Sequence, residues 1–216
     1  RVEGKITCPG VRHFVVDGHA LSSGRIYEHD SPDRPFATDA GKFALFCAGV
    51  TQFAAEGHFG HLDIVHLHDW HAALVALLLR ASSRYAKLAS VQIVFTVHNL
   101  ALQGIRPLGA DPSSLNTWFP GLRYRQAWVV DPRWLDCANA MAIGIRLADA
   151  VHAVSPAYAQ EILQPTSATH MSGGEGLEED LRQAKSEGRL FGILNGMTYP
   201  EETADLSAPR VEWSAT

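Results

Sequence analysis

The feature that most constrains the fold of this chain is a repeated unit, a short apolar run followed by a segment with helical periodicity. Leu62–Leu67, Val91–Val97 and Leu190–Leu194 are rich in branched and large apolar residues, as expected of strands buried within a sheet. Segments with apolar residues at helical spacing separate them. Such alternation is typical of βαβ units. We therefore predict an α/β fold, with a parallel sheet and helices on both faces.

Further elements follow from the same patterns. We predict additional strands at Val11–Asp17 and Val151–Val154. The predicted helices are Thr38–Glu56, Ala72–Arg80, Leu135–Ala148, Pro156–Leu163 and Leu177–Glu187. Ser155 is suited to cap one of these helices, with Pro156 in its first turn. Residues 102–132 have weak periodicity and are interpreted as an insertion.

The composition excludes several classes of protein. The net charge is −5, with no run of Lys and Arg, so we predict no nucleic-acid partner. No apolar run approaches the roughly 20 residues of a membrane span, so we predict no membrane partner. Three widely spaced cysteines and an opening segment without an apolar stretch favour free thiols in the cytoplasm.

Polar residues follow three of the predicted strands at the point where each strand ends. His68 and Asp69 follow one strand, His98 and Asn99 the next, and Asn195 the last. Ligands of open α/β sheets bind beyond the carboxyl ends of the strands. We therefore expect the tips of three neighbouring strands to present Asp69, His98 and Asn195 to one pocket.

The run HLHDWH at residues 66–71 leaves a second interpretation open. Imidazoles and a carboxylate suit zinc, so His66, Asp69 and His71 could form the centre of a metal-dependent hydrolase. Hydrolases of this kind use the pattern His-x-His-x-Asp-His, whereas here the aspartate comes one residue early and Trp70 takes its place. We therefore favour polar ligand binding and keep the metal site as the alternative.

Five runs, taken together and in order, resemble the glycogen and starch synthases. These are retaining glucosyltransferases of the GT-B fold, in which two Rossmann-like domains face each other across a cleft. The resemblance covers most of residues 11–197. The runs are HLHDWHAAL (66–74), VFTVHNLALQG (94–104), LADAVHAVSPAYAQEI (147–162), GEGLEEDL (174–181) and GRLFGILNG (188–196).

The resemblance implies transfer of glucose from ADP-glucose to the non-reducing 4-OH of an α-1,4-glucan, without a metal or other cofactor. Such enzymes are thought to use no covalent nucleophile, so positioning and electrostatic stabilisation carry the reaction. By the same resemblance, His98 and Asp69 are the catalytic residues, with His98 against the donor glucose. The implied substrate-binding residues are Tyr27, Trp70, Asn99, Gln103 and Asn195.

The resemblance also implies a domain organisation. Residues 1–197 correspond to an N-terminal Rossmann-like domain without its first strand and Lys-x-Gly-Gly loop, and residues 198–216 to a linker or tail toward a missing C-terminal domain. Because that domain holds most of the nucleotide-binding surface, we expect the chain alone to be inactive. Two departures from the family pattern are Leu102, where tyrosine is common, and Ala142, where lysine is usual. A non-catalytic glucan-binding module of the same fold is the alternative.

Overall fold

The computed structural model describes residues 2–8, 10–22, 40–166 and 173–196, and its centre is a four-stranded sheet. The strands are all parallel and stand in the order β3-β4-β7-β8. They span Ile64–His68 (β3), Gln92–Val97 (β4), Ala150–Ala153 (β7) and Leu190–Gly192 (β8). The predicted α/β class with a parallel sheet is confirmed. The predicted domain boundary at residue 197 lies outside the described residues.

Eight α-helices and one 3₁₀ helix, Ser83–Leu88, accompany the strands in the described ranges. Of the α-helices, none is long and apolar enough to cross a membrane. They are α1 (His19–Ser22), α2 (Ala40–Ala55), α3 (Asp69–Ala81), α4 (Leu115–Trp118), α5 (Gln126–Val129), α6 (Ala140–Leu147), α7 (Pro156–Glu161) and α8 (Glu178–Ser186).

The crossover helices pack on one face of the sheet, which we call the covered face. The strand order runs in a single direction, so right-handed crossovers bring their helices to the same side. Phe95 of β4 is fully buried there, and a Cβ at Gly144 of α6 would overlap the Phe95 ring. Ile93 and Val151 are fully buried on the same face. This face is the main core of the chain.

The other side of the sheet, which we call the open face, carries exposed side chains. By strand register it includes Ile64, His66 and His68 of β3 and Phe191 of β8, all of them exposed. No second helical layer on this face is formed by the residues that the structure describes. The physical reason is topological, because helices reach both faces only where the strand order reverses direction.

Two antiparallel pairs lie outside the parallel sheet. The predicted strand at Val11–Asp17 is β2 (Val11–Val16), and it pairs with β1 (Val2–Cys8), which the sequence did not indicate. Residues 102–132, interpreted as an insertion, contain β5 (Ile105–Pro107), which pairs with β6 (Cys137–Asn139). The predicted helix at Leu135–Ala148 is therefore shorter than expected and begins as α6 at Ala140.

Side-chain caps fix the ends of two helices. Asn139 Oδ1 accepts a hydrogen bond from Ala142 N at 2.9 Å, which starts α6 directly after β6. Ser155 Oγ accepts one from Tyr158 N at 3.0 Å, with Pro156 at the first position of α7. The predicted N-cap is thus confirmed. The loss of a cap of this kind costs about 1 kcal/mol.

Candidate functional site

A hydrogen bond ties together the carboxyl ends of the two neighbouring strands β3 and β4. Asp69 directly follows β3 and is the first residue of α3, with a left-handed φ of 53° that few non-glycine residues adopt. Its Oδ1 accepts a hydrogen bond from the backbone N–H of His98, directly after β4, at 2.8 Å. The two residues predicted to be catalytic are therefore in contact.

The imidazole of His98 is held from a second side. Its Nε2 lies 2.9 Å from Nδ1 of His68, the last residue of β3. Partial burial and then the neighbouring His98 lower the pKa of His68 below the usual histidine value. The sequence did not identify His68 as a partner of His98. The available signal was that His68 and His98 both follow successive predicted strands, and the register indeed pairs His68 with Thr96, two residues before His98.

A groove of about 320 Å³ opens beside this junction. Its lining combines one carboxylate, one amide, one imidazole and apolar surface, and it contains no lysine or arginine. Small-molecule sites commonly combine a few polar groups with apolar walls in this way. The lining residues are Asp69, Trp70, His71, Asn99 and Leu102.

Trp70 forms the floor of the groove. It is only 3% exposed and stacks on His71 at a ring-centroid distance of 4.1 Å. Gly104, at φ +65°, lies against the indole, and a Cβ there would overlap the ring. The buried Nε1 of Trp70 has no hydrogen-bond partner in the described part of the chain.

Gln103 lies beneath the groove rather than on its surface. It is 5% exposed, and its Nε2 donates to the carbonyl of Glu175 at 2.9 Å. Its Oε1 accepts hydrogen bonds from Arg133 Nη2 at 2.6 Å and from Asn139 Nδ2 at 2.7 Å. The amide therefore joins three loops to one another. A direct sugar contact of Gln103 stays a prediction, whereas its hydrogen bonds indicate a positioning role.

Asp131 anchors the same network. It is fully buried and accepts hydrogen bonds from Asn139 Nδ2 at 2.7 Å and from Arg133 Nη2 at 3.1 Å. Burial opposes ionisation, but these hydrogen bonds outweigh it and hold the pKa of the carboxyl below its usual value. An ionised Asp131 thus stabilises the loops that support the groove.

Two predicted site residues remain apart from this arrangement. Asn195 is exposed, three residues beyond β8. Because β7 stands between β4 and β8, the predicted arrangement of three neighbouring strands is wrong for β8, which lies about 10 Å from β4 in the sheet. Asn195 does share the carboxyl edge of the sheet with Asp69 and His98. Tyr27 lies outside the described residues.

A chain of hydrogen bonds crosses the open face beside the site. His152 Nε2 lies 2.9 Å from the carbonyl of Ile193, so it donates there. In neutral imidazole the other nitrogen is an acceptor, so Thr96 Oγ1 donates to His152 Nδ1 at 2.9 Å. The threonine oxygen then accepts from His66 Nε2 at 2.6 Å. His66 is thereby assigned to a structural chain of hydrogen bonds.

The alternative metal centre is not supported by the geometry. His66 bonds to Thr96, Asp69 to the His98 backbone and His71 stacks on Trp70, so the three side chains have separate environments. Among the described residues, no group of three or more His, Cys, Asp or Glu side chains could hold a metal ion.

Comparison with known proteins identifies the family. Residues 3–183 match the starch synthase catalytic domain. Glycogen synthase 2 of Geobacter sulfurreducens is 34% identical over 192 residues, which make up 87% of this chain and 36% of that protein. The glycogen synthase of Pectobacterium atrosepticum is 36% identical over 191 residues, with the same shares of 87% and 36%. The chain thus spans about 36% of the length of these curated relatives.

A solved structure agrees with the sequence relatives. The catalytic domain of starch synthase IV from Arabidopsis thaliana, bound to ADP and acarbose, matches with a TM-score of 0.59 and 29% identity. The match covers 74% of this chain and 30% of that chain. The family match spans most of the residues that build the sheet and the groove. The chain therefore belongs to the starch synthase catalytic-domain family.

Proposed function

We propose that this chain forms the acceptor-side domain of a glycogen synthase, which transfers glucose from ADP-glucose to the non-reducing 4-OH of an α-1,4-glucan with retention. The observation that carries the proposal is the Asp69–His98 hydrogen bond of 2.8 Å beside the groove, within a chain of this family. The ADP and acarbose bound to the Arabidopsis relative support a nucleotide sugar and a glucan as ligands.

The groove offers complementary chemistry to a sugar. Asp69 Oδ1 is engaged by the His98 backbone, while Oδ2 has no hydrogen-bond partner among the described residues and can accept from a sugar hydroxyl. The amide of Asn99 is exposed and its Oδ1 accepts from Ala101 N at 2.8 Å, which orients the amide nitrogen as a donor. The side chain of Leu102, 37% exposed, supplies apolar surface for a sugar ring, while the buried Trp70 supports the groove from below.

His98 acts by position. Its backbone is fixed by Asp69 and its ring by His68, so neither has to reorganise when substrate binds. In a retaining reaction without a covalent nucleophile, positive charge develops at the anomeric carbon, and the His98 carbonyl and ring stabilise it. Fixed dipoles of this kind act without reorganisation at the moment of reaction.

We further propose that catalysis needs a C-terminal domain of the same polypeptide but no metal or other cofactor. We place the enzyme in the cytoplasm. The groove lining contains no lysine or arginine, so the charge of a leaving diphosphate has to be met from outside it. The isolated 216-residue chain is therefore expected to be inactive.

The test joins this chain to the C-terminal part of the Geobacter glycogen synthase and measures glucose incorporation from ADP-glucose into glycogen. We expect His98→Ala and Asp69→Ala to lower kcat about 100-fold or more, because each removes a group that the transition state needs. His61→Ala is the control, since His61 is an exposed histidine before β3. Turnover by His98→Ala equal to that of the parent would refute the proposed role.

A gain-of-function variant tests the groove itself. Leu102 is 37% exposed at its edge, where related enzymes commonly carry tyrosine. Leu102→Tyr adds an aromatic surface for a sugar ring, and the additional apolar area removed from water contributes on the order of 1 kcal/mol. We expect maltoheptaose to bind this variant several-fold more tightly in calorimetry. Unchanged affinity would place the acceptor elsewhere.

The alternative function is a glucan-binding module without transfer. Binding alone would need only the groove, whose carboxylate, amide and apolar surface suit a sugar. The fusion described above distinguishes the two functions. Glucan binding that depends on Asp69, with no transfer by a folded fusion, would support the module and refute the synthase.

A further inference from the structure

A second cavity, of about 650 Å³, lies at the far end of helix α3 from the groove. Helix α3 begins at Asp69, beside the groove, and ends at Ala81, while Ala81, Ser82 and Ser83 line this cavity. A helix of this length spans about 20 Å, so the two sites are separate. The volume falls within the range of small-molecule sites, about 300–1,000 Å³.

The walls of this cavity are aromatic and its charges are all positive. Its lining includes Tyr85, Trp118 and Phe119. The phenol of Tyr85 is directed to Gln52 Oε1 at 3.4 Å, which leaves its ring as a wall. Arg84 and Arg123 also line the cavity, and no acidic residue does. In a chain of net charge −5, a cationic cavity needs an explanation.

The two arginines differ from most others in the described part of the chain. Neither Arg84 nor Arg123 forms an ion pair with a carboxylate among the described residues. Arg84 instead lies 5.9 Å from the centre of the Tyr85 ring. Glu56 is near enough for Arg84 to affect its pKa slightly, but its carboxylate is hydrogen-bonded to Gln52 and His58. The arginines that do pair with carboxylates are Arg80, Arg106, Arg133, Arg146, Arg182 and Arg189.

From this arrangement we infer that the cavity binds a small phosphate-bearing ligand with a flat or cyclic body, a sugar phosphate or a nucleotide. Guanidinium groups match phosphate oxygens in charge and geometry, and aromatic walls accept a base or a sugar ring. The carboxyl end of α3 carries about half a negative unit charge, which repels an anion. The two full positive charges of Arg84 and Arg123 outweigh this repulsion. The inference is independent of glucosyl transfer at the groove.

Calorimetry on the purified chain tests this site with four probes: inorganic phosphate, AMP, glucose 6-phosphate and neutral maltose. We expect AMP or glucose 6-phosphate to bind more tightly than phosphate alone, and binding to weaken as salt is raised. Arg84→Ala and Arg123→Ala should each weaken binding about tenfold. Arg125→Ala is the matched control, because its guanidinium lies over Trp128 and outside the cavity.

The outcomes separate the possible ligands. If AMP binds more tightly, the ligand of the cavity is a nucleotide. If glucose 6-phosphate binds more tightly, the ligand is a sugar phosphate. Binding of maltose alone, or affinities that survive the double variant Arg84→Ala/Arg123→Ala, would overturn the inference, as would the failure of every phosphate probe to bind. Thermal denaturation of each variant shows whether the fold is retained. Because the cavity and the groove share no lining residue, loss of glucosyl transfer would leave these binding results unchanged.

Discussion

The two faces of the parallel sheet differ in what they are made of and in how they are stabilised. On the covered face, Ile93, Phe95 and Val151 are fully buried under helices. On the open face, Ile64 is 58% and Phe191 48% exposed, and polar side chains hydrogen-bond along the sheet. Apolar burial therefore holds one face, and directional hydrogen bonds order the other.

The comparison explains why the candidate site lies where it does. Side chains alternate between faces along a strand, so the residues that follow β3 and β4 stand where the two environments meet. Asp69 leads into α3 on the covered side, whereas the His98 ring bonds to His68 on the open side. The packed helices of the covered face thus fix the backbone of the site, and the open face supplies its polar side chains.

The largest expected contrast is between two phenylalanines. Phe95→Ala removes a fully buried ring that α6 packs against and should lower the free energy of unfolding by about 3–5 kcal/mol. Phe191→Ala, on the open face, should cost less than about 1 kcal/mol, because its ring is already half exposed. Urea denaturation of both variants gives the comparison. Equal losses would mean that the open face is packed as tightly as the covered one.

A smaller effect is expected from the hydrogen bonds of the open face. Thr96→Val leaves His66 Nε2 without an acceptor and His152 Nδ1 without a donor, at a cost of about 1–2 kcal/mol. Thr96→Ser keeps the hydroxyl and is the matched control. If both variants denature at the same urea concentration, the threonine contributes by its methyl group and not by its hydrogen bonds.

The covered face could be predicted from the sequence, because burial leaves a periodic signal. Apolar runs such as Val91–Val97 indicated buried strands. Their alternation with helical segments indicated the α/β fold class and a parallel sheet. The positions of Asp69 and His98 at neighbouring strand ends followed from the same rule.

The remaining features depend on contacts between distant segments. Gln103 is buried and hydrogen-bonded to Arg133 and Asn139. A Gln-Gly pair after a predicted strand does not indicate these contacts. The β5–β6 pair is only three residues long on each strand, too short for a periodic signal, and it shortened the predicted helix before Ala148. The order in which strands stand in the sheet, which separates Asn195 from His98, is not encoded locally at all.

The open face should also respond to pH. The pKa of His66 is lowered mainly by partial burial and secondly by repulsion from His68. The pKa of His68 is lowered mainly by partial burial and secondly by repulsion from His98. Histidines of the unfolded chain titrate near 6.5, so below that pH the unfolded state binds more protons than the folded one. Stability is therefore complete above about pH 6.5 and falls as the pH is lowered below it.

The measurement is the urea midpoint at pH 7.5 and pH 5.5, for the parent and for His66→Gln/His68→Gln. We expect the parent to lose more stability between these values than the double variant, since only the parent has the two histidines that resist protonation when folded. His61→Gln, which changes an exposed histidine, should behave as the parent. A double variant with the full pH dependence would show that carboxylates elsewhere cause it.

The smallest effect on stability should come from the edge of the open face. Within the described ranges β3 pairs only with β4, so one edge of β3 is unpaired and carries the exposed Ile64. Ile64→Lys should change the free energy of unfolding by less than about 0.5 kcal/mol and reduce self-association, because charges on edge strands oppose pairing between molecules. Sedimentation velocity measures the association. Gln92→Lys is the matched control, since Gln92 stands beside Ile64 in the register but on the inner strand β4. A decrease in association by both variants alike would trace it to net charge, whereas a decrease by Ile64→Lys alone assigns it to the edge.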